Sequence, residues 1–354
     1  MRMRLKTRAI LVYFSIVCFG SVFFGLYFIF TPAYETKQKK GIDFAAKDKW
    51  SHLLHKQPSV LDAKHYNELR RPDLALGWAE KGNADRSNIW EDKKIGSENA
   101  EIVLPEKDML YTMSWEEIAF LYHKYTKQIQ INCQDIVRLG RVTDGGWEVC
   151  DDSSYRPSAP CLVYSFGVGD DFSFDDAVAR RYKCEVHSFD PSMNVKDYQR
   201  DSTVYFHQLG LADFTGETSD GWKMSTFADI RKHFHHEGKP LSILKLDIEE
   251  WEWKVLPSLL KSGYLNDTSQ LLMELHQCEG CSRYNPAQVD KEATQERYIL
   301  ALQILKDLYD LGFRIFWEHQ NLACSYISKF ALAERSGCCE LHMVQSRLLG
   351  KKKV

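Results

Sequence analysis

The residues best suited to chemistry are a pair of glycines and an acid that follows them. Gly167-Val168-Gly169-Asp170 comes directly after the apolar run Cys161-Leu-Val-Tyr-Ser-Phe166. Glycine in such a turn lets the backbone approach a ligand closely and adopt positive φ. Turn geometry alone can also call for glycine, so the spacing to the next acid has to decide. Phe189-Asp190-Pro191 sets a carboxylate 21 positions after Gly169. That is close to the roughly 20-residue interval at which an acid reaches the ribose hydroxyls of an adenosine cofactor. A carboxylate offers the vicinal diol two acceptor oxygens. A dinucleotide fingerprint needs a third small residue three positions after the second glycine, so that the helix N-terminus meets the pyrophosphate. Phe172 occupies that position, and Asp170 and Asp171 put negative charge where phosphates would sit. Acids there repel a pyrophosphate but suit a cationic sulfonium and its ammonium group, which points to S-adenosylmethionine. Gly167, Gly169, Asp170 and Asp190 are the candidate cofactor-binding residues. Asp213, in Gly210-Leu-Ala-Asp213, joins them as an acid placed to hold an adenine amino group or to sit solvated in its loop.

A second constellation follows two later strands. Lys245-Leu-Asp247-Ile-Glu249-Glu250 puts a cluster of carboxylates at a strand end. Asp247 can orient the cofactor's amino acid moiety, position an acceptor, ligate a metal or act as a base; no metal is assigned to it. Glu249 and Glu250 read as the opening of the next helix, where the dipole favours acids. Trp251 and Trp253 read as packing. In Leu271-Leu-Met-Glu274-Leu-His276 the alternation puts Glu274 and His276 on one face, near Asp247. An imidazole with a pKa near neutral can remove a hydroxyl proton; the competing reading is a hydrogen-bonded strand-end histidine. Asp247, His276 and Glu274 are the candidate catalytic residues. Methyl transfer needs little beyond alignment of nucleophile, carbon and leaving sulfur.

Alternating elements must position these groups. Short apolar runs predict strands over Cys161–Phe166, Cys184–Phe189, Val204–Leu209, Leu241–Leu246 and Gln270–Leu275, then Phe313–Trp317 and Glu340–Gln345. Helical spacing predicts helices over Asp175–Tyr182, Phe227–Phe234, Lys254–Lys261 and Gln295–Asp310, and Ser114 with Glu116 and Glu117 reads as a helix start. Strands regularly separated by helices imply an α/β fold with a doubly wound, mostly parallel, Rossmann-like sheet. An antiparallel final strand is expected, because little chain separates the last two. Ligands of such sheets bind at the carboxyl ends of the first strands.

The rest of the chain speaks to location. Ala9 to Phe30 is an uncharged, almost wholly apolar run of 22 residues, within the roughly 17–25 that span a bilayer. It is too long for the apolar core of a cleaved leader. The expected organisation is a cytosolic tail at 1–8, a transmembrane signal anchor at 9–30, a stem at 31–105 and a catalytic domain at 106–354. Arg2, Arg4, Lys6 and Arg8 precede the span and favour a cytosolic N-terminus. This single-pass type II arrangement leaves the body in the lumen of the Golgi. Nine of ten cysteines lie beyond the span; in an oxidising compartment most would pair, leaving an odd one free. Cys278-Glu-Gly-Cys281 reads as a structural disulfide ahead of half a zinc site or a redox pair, since no second ligand pair at that spacing accompanies it, and Asn266-Asp-Thr268 is a glycosylation sequon. A net charge of −3, with no basic run interleaved with aromatics in the body, gives no reason to expect nucleic acid.

Several of these residues also form a family pattern. Asp144-Gly-Gly-Trp-Glu-Val-Cys150, and Val163-Tyr-Ser-Phe-Gly-Val-Gly-Asp170 followed by Ser173-Phe-Asp175, resemble the family typified by methyltransferase-like protein 24. Lys245-Leu-Asp-Ile-Glu249 followed by Glu252 is similar to the Asp-x-Glu-Gly-x-Glu segment of FkbM-type O-methyltransferases, with Glu250 at the glycine position. The resemblance covers roughly residues 130 to 346. It implies a class I methyltransferase fold that binds S-adenosylmethionine behind a membrane anchor. Joined to the lumenal placement, it suggests O-methylation of a sugar hydroxyl, such as a terminal hexose, on a glycan or glycoprotein acceptor. A protein or small-molecule methyltransferase and a noncatalytic lumenal binding module are the competing expectations.

Overall fold

The computed structural model describes residues 101–278, 291–331 and 334–350. The expected cytosolic tail, membrane span and nearly all of the stem lie outside the described residues, as does Cys281. Among the described residues no helix is long and apolar enough to cross a membrane.

Helices α1 (Lys107–Leu110) and α2 (Trp115–Thr126) open the domain. The start of α2 is a full capping box: the Ser114 hydroxyl accepts the Glu117 N–H, and the Glu117 carboxylate accepts the Ser114 N–H. The chain then runs through β1 (Ile136–Leu139), β2 (Trp147–Cys150), β3 (Leu162–Phe166), α3 (Ser173–Tyr182), β4 (Glu185–Phe189), β5 (Tyr198–Asp201) and β6 (Val204–His207). Three short strands follow, β7 (Gly210–Leu211), β8 (Gly216–Glu217) and β9 (Lys223–Ser225). After them come α4 (Phe227–His233), β10 (Leu241–Leu246), α5 (Glu252–Ser262), β11 (Thr268–His276), α6 (Gln295–Leu311), β12 (Phe313–Ile327) and β13 (Glu334–Gln345).

Eight strands form the main sheet in the order β12-β13-β11-β10-β3-β4-β6-β5. Its centre, from β11 across to β6, is parallel, while β13 runs antiparallel between β11 and β12. The mostly parallel, doubly wound architecture and the antiparallel last strand therefore hold. Every residue of β3 is buried, as expected for a strand covered on both faces. Its side chains divide by the two-residue period. Leu162, Tyr164 and Phe166 enter the core that includes residues of α2, α4, α5 and α6. Val163 enters a second core with Phe174 and Val178 of α3 and Trp147 of β2. Each fully buried Leu or Phe contributes roughly 1.5–3 kcal/mol by leaving water.

Three features depart from the expected elements. The closing strands are much longer than the apolar runs at Phe313–Trp317 and Glu340–Gln345: the added part of β12 is mostly polar and half-exposed, and that of β13, Glu334-Arg-Ser-Gly-Cys-Cys339, is mostly buried but shows no apolar run. A Cys324–Cys338 disulfide joins these extensions across a register shift between Asn321 and Ser325. The β1–β2 hairpin and the small β7-β9-β8 sheet were too short to show a period. Finally, Glu249 and Glu250 do not open a helix. They form a turn with φ of +51° and +73°, and α5 begins at Glu252. Left-handed backbone at two successive non-glycine residues costs roughly 1–2 kcal/mol each, so packing must impose it.

Disulfides also join Cys133 to Cys150 and Cys161 to Cys184, and Cys278 is disulfide-bonded. Cys339 is the free cysteine among the described residues, and it is buried.

Candidate active site

The sheet brings the carboxyl ends of β3, β4, β10 and β11 together. The turns after β3 and β10 meet backbone to backbone. The Asp247 N–H donates to the Phe166 carbonyl at 3.1 Å. Gly167 has φ +78°, and a Cβ there would stand 1.5 Å from the Asp247 carbonyl oxygen, so only glycine fits. Gly169, at φ +56°, faces open space, with nothing within 4 Å of where its Cβ would lie. One glycine lets the turns close and the other leaves room for a ligand.

Asp190, at the end of β4, is buried and holds this turn in shape. Its Oδ2 accepts the Gly169 N–H at 2.7 Å, and its Oδ1 accepts the Ser192 N–H at 2.8 Å and hydroxyl at 2.6 Å. A carboxylate has about four acceptor positions, so about one remains for a ribose hydroxyl. The same acid clamps the glycine turn and faces the cleft, which is lined by Pro191, Leu211, Trp222, Met224 and Trp251 beside Asp190, Asp247 and Glu249. The apolar group suits the faces of an adenine ring, and the carboxylates suit a cationic centre.

Two proposed cofactor contacts lie differently. Asp213 is exposed beyond β7, and Asp170 is exposed at the tip of the glycine turn; neither lines the cleft. Asp171 turns away altogether. It pairs with Arg141 at 3.0 Å and accepts the Ser173 N–H at the start of α3. The negative charge inferred for this loop is thus half neutralised, and the acids facing the cleft come instead from β4 and the turn after β10.

Asp247, Glu274 and His276 do converge. The His276 ring is buried, with Nδ1 3.2 Å from the Glu252 carboxylate and Nε2 3.5 Å from Glu249 and 3.9 Å from Glu274. Trp253 donates its indole N–H to the His276 carbonyl at 2.7 Å. Burial disfavours the charged ring, but the Glu252 hydrogen bond and the surrounding carboxylates outweigh it and raise its pKa to about 10. His276 is therefore an imidazolium at neutral pH and cannot accept a proton. The expected role of general base does not belong to it in this state. Glu274 is pushed up to about 8 by burial and by the neighbouring Asp247 carboxylate, so it largely keeps its proton. Asn321 of β12 donates to its Oε1 at 3.1 Å. Asp247, Glu249 and His276 each present a ligand atom within 4.8 Å of one another, but with the ring protonated they form an ion-pair network rather than a ligand set.

Three contributors were missed. Lys245, buried in β10, donates its Nζ to the Gly167 carbonyl at 2.8 Å and lies 3.7 Å from Asp247. A lysine inside the apolar run Leu241–Leu246 was the available signal. Glu252 is fully buried and orients His276; its place at the end of the Asp-x-Glu-Gly-x-Glu-like segment was the available signal. Trp251 reaches the cleft instead of packing in the core.

A doubly wound sheet with a glycine turn, an acid at the next strand end and carboxylates opposite is the site of a protein that binds a nucleoside-bearing cofactor. Residues 77–304 match the family model described as a methyltransferase domain, and the chain belongs to this family. It is 27% identical over 253 residues to the human protein named probable methyltransferase-like protein 24, a match covering 66% of this chain and 66% of that one. The rat protein of the same name is 26% identical, over 66% of this chain and 67% of its own length. The matched part of the chain thus spans about two thirds of these relatives. Among solved structures, Aeropyrum pernix fibrillarin in complex with natively bound S-adenosyl-L-methionine aligns with a TM-score of 0.28 at 10% identity, covering 53% of this chain and 67% of that one. For a methyltransferase with this cleft, S-adenosylmethionine is the methyl donor that the residues present fit: open backbone at Gly169, an acceptor position on Asp190, apolar walls and facing carboxylates.

Proposed function

We propose that the chain transfers a methyl group from S-adenosylmethionine to a sugar hydroxyl, such as a terminal hexose of a glycan or glycoprotein, in the Golgi lumen. The observation that carries this reading is the meeting of the Gly167–Gly169 turn and Asp190 with Asp247 across one cleft. S-adenosylmethionine supplies an electrophilic methyl group on a sulfonium. The Asp190 acceptor position takes a ribose hydroxyl, and Leu211, Met224 and Trp222 enclose the base. Asp247, 28% exposed at its side chain, would accept the hydrogen bond of the incoming hydroxyl and take up its proton as the methyl passes from sulfur to that oxygen and the sulfur leaves as a neutral thioether. The His276 imidazolium and the protonated Glu274 fix the carboxylates around it, and alignment supplies most of the rate.

The acceptor class rests on location. An apolar span of 22 residues precedes the domain. The disulfides suit an oxidising compartment, and Asn266 of the sequon is exposed. The test is label transfer by the full-length chain in detergent, from methyl-labelled S-adenosylmethionine to a panel of glycans, proteins and small hydroxylated molecules. Label should appear on a sugar oxygen, and Asp247→Asn should reduce turnover by about 10²-fold or more, the scale of a lost proton acceptor. Transfer only to protein or small molecules would overturn the sugar assignment. Cofactor binding without transfer to any acceptor would make the chain a binding module.

A further inference from the structure

A second cluster of ligating side chains lies on β4 and in the loop after α4, among residues that the proposed methyl transfer does not use. Glu185 and His187 point to one face of β4. The chain leaves α4 through His235, whose φ of +55° turns the backbone and sends His236 inward. His187 Nε2 then lies 2.9 Å, and His236 Nε2 3.3 Å, from the same Glu185 Oε1. The three ligand atoms fall within 4.8 Å of one another. Ligand atoms around a tetrahedral zinc stand roughly 3.3 Å apart, given bonds of about 2.0–2.2 Å.

The remote nitrogens are held as those of metal-bound histidines are. His236 Nδ1 meets the Tyr164 hydroxyl at 2.8 Å. His187 Nδ1 meets His207 Nε2 at 2.8 Å, and His207 Nδ1 meets Asp197 at 3.2 Å. With both imidazoles neutral, this chain is one hydrogen short. From Glu185 through His187 and His207 to Asp197 there are three contacts, each needing one hydrogen, and two neutral imidazoles carry two. A cation at the Glu185 end removes the deficit. Both rings then take the Nδ1–H form, His187 donating to His207 and His207 to Asp197.

We propose that Glu185, His187 and His236 bind a divalent transition-metal ion of the zinc type, with His207, Asp197 and Tyr164 orienting the ligands. The Glu185 side chain is 45% exposed, so the fourth position opens towards solvent. The ion joins β4 to the loop after α4. The outer residue His207 also accepts the Asp190 N–H through its carbonyl at 3.1 Å, linking the metal site to the cofactor wall.

The test is metal stoichiometry and Co²⁺ visible absorption on the full-length chain, stripped with chelator and reloaded with Zn²⁺ or Co²⁺. One equivalent per chain is expected, with the d–d bands of a tetrahedral site. Glu185→Gln preserves shape at a half-exposed position and should weaken Zn²⁺ binding at least tenfold. His207→Gln, an outer-shell change, should weaken it about 10–100-fold, while Glu249→Gln in the cofactor cleft should leave it unchanged. Failure to bind Zn²⁺ or Co²⁺ above background would overturn the site, since a third proton would then complete the chain. So would binding that survives both Glu185→Gln and His236→Gln, or that disappears with Glu249→Gln.

Discussion

Among single residues, the environment of His276 is more informative than its identity. An imidazole beside two acids looks like a base, but the Glu252 hydrogen bond and the nearby Glu249 carboxylate outweigh burial and hold the ring as a cation at neutral pH. Its pKa is raised from about 6.5 in an unfolded chain to about 10 in the folded one. A raised histidine stabilises fully below the unfolded value and loses that contribution as pH rises through the folded one. His276→Gln leaves buried Glu252 without its counterion, so it should destabilise by about 3–5 kcal/mol at pH 6. The deficit should shrink between pH 6.5 and 10, where the unfolded ring has lost the proton that the native ring still holds, and be gone above about 10. Urea denaturation of both proteins across that range checks this, and a deficit independent of pH would remove the ion pair from the account. Asp190 was legible because spacing along two strands fixes it. The protonation of His276 was not, because Glu252 and Glu249 reach it through a turn whose shape the sequence does not display.

Among elements, β10 does more than carry Asp247. Its Lys245 grips the Gly167 carbonyl, so strand and cofactor turn are linked by a charged donor in a buried place. Lys245→Met keeps the stem and removes the donor, at a cost of about 1.5–3 kcal/mol for a hydrogen bond from a charged group. Calorimetry should show S-adenosylmethionine binding about tenfold weaker, with Trp147 and Phe166 still packed. Unchanged affinity would mean that the turn holds its shape alone. The central strands could be read from sequence because strands covered on both faces are continuously apolar. The outer halves of β12 and β13 could not: they are polar ribbons held by pairing and by Cys324–Cys338, and neither leaves a period.

In the whole molecule, three disulfides with both cysteines among the described residues brace the strands. Cys161–Cys184 joins the first residues of the β3 and β4 region across a separation of 23, and closing a loop of that size stabilises by about 3 kcal/mol. Peptide mapping after alkylation of the native chain should find Cys133, Cys150, Cys161, Cys184, Cys324 and Cys338 paired. Cys339 should react only once the chain is unfolded, because burial raises its thiol pKa and shields it. Reactive thiols at Cys161 and Cys184 in protein isolated from cells would place the domain outside an oxidising compartment.

The position of β13 has a consequence for biosynthesis. It is the last described strand to be made, yet it lies inside the sheet, setting Glu340 opposite Glu274 and pairing with the strand that carries Asn321. While the ribosome is still adding those residues, β11 has an open edge and Glu274 lacks its neighbours. The surroundings of Glu274 are completed only by that late insertion, so the wall of the cluster opposite Asp247 is finished after the strands that carry the glycine turn and Asp190 have been made.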